Sequence, residues 1–84
     1  MLNVSVVSPE RTLFEGQAES VVAPAFDGEV GILSHHAPML TLLGSGRVRV
    51  RSAGGEQQFT VAGGFLEVAD DRVRVVTERA EAAD

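Results

Sequence analysis

The sequence predicts an all-β domain, a two-layer antiparallel β-sandwich of many short strands, and three observations carry that expectation. Apolar residues recur with a period of two in Leu2-Val4-Val6, Val48-Val50, Leu66-Val68 and Val73-Val75. Turn-forming residues follow one another closely at Pro9-Glu10, Gly16, Pro24, Asp27-Gly28, Gly44-Ser45-Gly46, Gly54-Gly55 and Asp70-Asp71, which leaves no room for a crossover helix. Val7, Val22, Met39, Leu43 and Val76 place apolar side chains on the second face of their strands as well. Two sheets packed face to face account for that better than one sheet, with part of the second face reserved for a partner.

Leu2, Val4 and Val6 share one face of an opening strand that turns at Pro9. Asp27-Gly28 makes a turn, after which Val30 and Ile32 point inward and Glu29 and Gly31 outward. Pro38 denies a backbone donor, so the apolar run Met39-Leu40-Thr41-Leu42-Leu43 begins a strand or lies at an edge. Arg47, Arg49 and Arg51 alternate with Val48 and Val50 and share one strand face, which reads as a solvated face with Glu67 as an available cross-strand partner. Gly44-Ser45-Gly46 and Gly63-Gly64 read as turns or bulges, because neither ends in the Lys-Ser/Thr of a phosphate-binding loop nor opens a helix. The expected division is a sandwich over 1–77 and a tail over 78–84, whose helix formers are too few to hold a helix alone and should fray.

Composition narrows the function classes. A single domain of 84 residues buries about 60–65% of the surface it exposes when unfolded. All seven basic residues are arginine, and against twelve acidic ones they give a net charge of −5. That sign repels phosphate backbones, and four Phe with no Tyr or Trp offer little for bases to stack on, so nucleic acid is an unsuitable partner. The absence of cysteine excludes disulfides and thiolate metal sites, no secretory leader pattern is present, and the cytosol is the default compartment.

The densest signal is Asp27-Gly28-Glu29-Val30-Gly31-Ile32-Leu33-Ser34-His35-His36-Ala37-Pro38-Met39-Leu40. It resembles the D-G-E-[IV]-G-[IL]-x-x-x-H-A-P-[LM]-L loop of the epsilon subunit of F-type ATP synthase, called delta in mitochondria. Val6-Val7-Ser8-Pro9-Glu10-Arg11 and Val61-Ala62-Gly63-Gly64-Phe65-Leu66-Glu67-Val68 resemble that family's opening strand and its later Gly-Gly-x-x-Glu-Val segment. Where the family usually has Pro-Gly or Pro-Asn before the histidine, this chain has Ser34-His35. The resemblance covers the N-terminal sandwich and stops where the family's C-terminal helical pair begins. The Ile-Asp-x-x-Arg-Ala type of motif through which some members bind ATP lies in that pair, so no cofactor is expected.

The resemblance implies a non-catalytic central-stalk subunit, held between the gamma subunit and the c-ring, peripheral on the cytoplasmic side of the bacterial inner membrane. Glu29 and His36 are then the expected c-ring contacts. Val7, Ser8, Met39, Thr41, Leu42 and Leu43 are the expected gamma contacts, the apolar ones on the basis of outward strand parity. Two other readings have less support. Ser34, His35 and Glu29 are residue types of a hydrolytic triad but lack a nucleophile elbow, and adjacent His35 and His36 point apart and lack further zinc ligands. A stand-alone carbohydrate-binding sandwich would call for an exposed Trp or Tyr platform.

Overall fold

A computed structural model describes residues 1–83. Among these described residues eight strands form: β1 (Leu2–Val7), β2 (Thr12–Ala18), β3 (Ser20–Ala25), β4 (Gly28–Leu33), β5 (Met39–Leu42), β6 (Ser45–Ser52), β7 (Gly55–Ala69) and β8 (Arg72–Ala83). They hydrogen-bond in the order β2-β1-β8-β7-β6-β3-β4, with β5 on the free side of the later part of β7. The expected all-β sandwich is therefore present, built by folding one continuous sheet on itself.

The fold line is the middle of β7 and β8. Residues 55–62 of β7 pair with β6 and with the end of β8, whereas residues 64–69 pair with Arg72–Thr77 of β8, and 65–68 also with β5. One layer is thus β4-β3-β6 with the first half of β7 and the last of β8; the other is β5, the second half of β7, the first half of β8, β1 and β2. Between the halves the register skips Gly63 and Glu78. Gly64 has φ 104°, and a Cβ built on it would stand 2.0 Å from the Val76 carbonyl oxygen. Only glycine fits this approach. Thr77, the one buried polar residue among those described, donates its hydroxyl to the Arg79 carbonyl at 2.8 Å and so satisfies the corner internally.

The alternation read from the sequence supplies the core. Leu2, Val4, Val6, Leu66, Val68, Val73 and Val75 from one layer meet Val21, Ile32, Val48, Val50, Phe59 and Val61 from the other in one buried cluster. The Phe14 and Phe59 rings stand 6.2 Å apart, tilted by 57°, within the range of favourable aromatic pairs.

Three local expectations change. Strands β1 and β8 are parallel, because nearly the whole chain intervenes between them and no short crossover is required. The chain does not leave the sheet after Thr77: β8 runs on to Ala83 against Gln58–Ala62, where the sheet ladder overrides the helix propensity of these residues; Asp84 lies outside the described residues. Glu67 stands in a different layer from the β6 arginines and pairs with Arg74 at 3.7 Å, directly opposite it in register.

Candidate functional site

Glu29 lies just after the β3–β4 turn at Phe26-Asp27, opposite Pro24 in register, and it is exposed as expected. Ile32 is buried, and Val30 packs against the core, so the inward parity that aimed Glu29 outward holds. The carboxylate is not isolated. Arg49 of β6 places Nη2 3.5 Å from its Oε1, while Arg47 Nη1 donates to Gln58 Oε1 at 3.2 Å.

His36 follows the other end of β4. Its N–H donates to the Leu33 carbonyl at 3.2 Å, and its Nδ1 lies 2.7 Å from the Ala37 carbonyl, which can only accept, so Nδ1 carries the proton of that bond. Glu29 to Leu33 is four strand steps, about 13 Å. The structure therefore does not bring Glu29 and His36 into one loop, nor does it assemble Ser34, His35 and Glu29 as a triad. Loop 34–38 is fastened elsewhere: the His35 N–H donates to Asp71 Oδ1 at 2.6 Å. His35 has φ 68°, a left-handed conformation in which glycine and asparagine are at ease. That explains why Gly or Asn usually fills this place in the resembled motif. Asp70 and Asp71, with φ 51° and 58°, form the two-residue hairpin that receives the loop.

Of the four apolar positions expected to face outward, Val7 and Leu42 lie on the outer face while Met39 and Leu43 do not. Leu43 is buried at 6% exposure and Met39 packs against the core, so neither is an outward group; Leu40 and Leu42 point outward at 70% and 63%. A one-residue error in parity exchanges the two faces of a strand, and the continuous apolar run 39–43 gives no alternation from which to fix it. Val7, Ser8 and Thr41 are half-buried; Ser8 closes the β1–β2 turn through its N–H to the Arg11 carbonyl at 2.9 Å.

On the outer face of the second layer, register aligns Leu42, Phe65, Val76 and Val7 across β5, β7, β8 and β1. The row ends beside the β3–β4 turn, where the Phe26 N–H donates to the Leu42 carbonyl at 3.0 Å and the Phe26 side chain is 67% exposed. Phe65, Leu40 and Phe26 are not among the contacts expected from the sequence, and Val76 is expected there only as a second-face apolar residue; the odd spacing of Phe65 from the inward Leu66 and Val68 is the available signal for its direction. The next row on this face is charged, with Glu67 against Arg74. An apolar band bordered by charge is the composition of a docking surface. Glu29, on the adjoining β3–β4 hairpin, is exposed on the outer face of the other layer beside Arg49.

The family model for the ATP synthase delta/epsilon chain beta-sandwich domain matches residues 1–83. The ATP synthase epsilon chain of Dehalococcoides mccartyi is 42% identical over 83 residues, covering 99% of this chain and 59% of that protein. The chain thus spans about three-fifths of the length of this curated relative. In fold it is similar to a chain of the Euglena gracilis mitochondrial ATP synthase OSCP/F1/c-ring structure, with TM-score 0.88 and 23% identity over 96% of this chain and 52% of that one. It is also similar to a chain of the Tetrahymena thermophila mitochondrial central stalk and c-ring structure, with TM-score 0.75 and 18% identity over 95% and 65%. On its match to the family model and to the epsilon chains, this chain belongs to the ATP synthase delta/epsilon beta-sandwich domain family.

Proposed function

We propose that the chain is the sandwich of a central-stalk subunit in a rotary ATP synthase, without catalytic residues of its own, and that it joins the gamma subunit to the c-ring so that all three turn together. The observation that carries this reading is the apolar row Leu42-Phe65-Val76-Val7 ending beside Phe26 of the β3–β4 hairpin, the hairpin that also exposes Glu29 from the other layer. The row suits gamma, and the hairpin end with Glu29 suits a basic loop of the ring. Torque transmission needs a stiff link, and a two-layer core packed at near-crystal density resists bending. Its role in proton-driven ATP synthesis is therefore mechanical. The subunit is peripheral, on the cytoplasmic side of the bacterial inner membrane, and reaches the membrane through the ring. His36 enters as the residue that shapes its own loop; His36→Ala tests whether that loop touches the ring as well.

Co-purification with gamma tests the reading. Leu42→Asp and Val7→Asp should weaken the complex with the circular dichroism spectrum unchanged, while Thr60→Asp, exposed on the outer face of the other layer, should leave it intact. Equal retention of gamma by all three variants would refute the assignment of this face.

A further inference from the structure

We infer that Arg49 is a positioning residue for ring docking, holding the Glu29 carboxylate in the direction from which it meets its partner; the inference rests on the proposed ring-facing role of Glu29. The two residues come from strands of unequal rigidity. Glu29 stands on β4, an edge strand paired only with β3, next to a turn. Arg49 stands on β6, which is paired on both sides, by β3 and by β7.

Register explains how Arg49 reaches across. Val22 of β3 lies opposite Arg49 on one side and opposite Gly31 on the other. Gly31 has no side chain, and nothing stands within 4 Å of where a Cβ would be, so the guanidinium can pass over β3 to Glu29. Arg49 is the less exposed partner, at 40% against 62% for Glu29. The ion pair is to Oε1, which leaves Oε2 available to an incoming cation. A long acidic side chain on an edge strand otherwise loses rotamer freedom when it docks, and ordering it in advance lowers that cost. The bland alternative is a solvated surface pair with little effect on anything.

The experiment is a double-mutant cycle on the assembled central stalk carrying this chain, with affinity for purified c-ring as the readout and melting temperature measured alongside. Arg49→Ala should weaken ring binding about three- to tenfold with the melting temperature unchanged, and Arg49→Lys should recover part of the loss. In a Glu29→Gln background, Arg49→Ala should have no further effect. Binding by Arg49→Ala that equals or exceeds the parent's, or a loss of the same size in both backgrounds, overturns the inference. Unchanged binding by Glu29→Gln and Glu29→Arg instead overturns the ring-docking reading on which it rests.

Discussion

Gly64 is the most tightly constrained of the glycines, with its would-be Cβ 2.0 Å from the Val76 carbonyl and φ at 104°. Gly64→Ala should cost at least about 2 kcal/mol of a total near 4–12 kcal/mol. Gly31→Ala, in open space on β4, should stay within about 1 kcal/mol, and urea midpoints compare the two directly. The same measurement separates two neighbouring leucines. Leu43→Ala removes a core side chain and should lower stability by about 2–4 kcal/mol. Leu42→Ala, at 63% exposure, should change it by about 0.5 kcal/mol or less. Equal effects would return Leu42 to the core and dissolve the apolar row. At this scale the sequence exposes Glu29, because alternation between Val30 and Ile32 defines its direction. It conceals Leu42 and Leu43, because an unbroken apolar run has no phase.

The least regular element is the loop 34–38, which the Asp71 carboxylate holds by the His35 N–H. Asp71→Ala should accelerate hydrogen exchange of the His35 amide and lower stability by about 0.5–1.5 kcal/mol, with the strands retained. His35→Gly keeps the donor and relieves the left-handed backbone, so it should be neutral or stabilise by up to about 1 kcal/mol. A marked loss in His35→Gly would mean that the ring, 3.9 Å from Asp71 at Nδ1, holds the loop instead. The Asp70-Asp71 hairpin was legible from turn chemistry, and the short strands from their period. The corner at Gly63-Gly64 was legible only as a turn or bulge. That β7 and β8 continue through it into a second layer depends on pairing between residues far apart in sequence, which local pattern does not encode. The extension of β8 to Ala83 is hidden for the same reason, since Glu78-Arg79-Ala80-Glu81 favours helix until β7 is beside it.

For the whole molecule, the two surfaces proposed to dock, the second layer's outer face and the β3–β4 hairpin, belong to one body and meet at Leu42 and Phe26. Millimolar ATP should leave the melting temperature unchanged. A ligand at a hundred times its dissociation constant would add about 2.7 kcal/mol, so a saturable rise would contradict a purely mechanical role. The most direct test of the central claim uses the absence of cysteine from the chain. Single variants Glu29→Cys, Val7→Cys and Glu56→Cys, each carrying a short photo-crosslinker in the assembled synthase, report what each position touches. Under the proposed function, Glu29→Cys attaches to the c-ring, Val7→Cys to gamma and Glu56→Cys to neither. Attachment of Glu29→Cys to gamma alone, or of Val7→Cys to the ring alone, would contradict it.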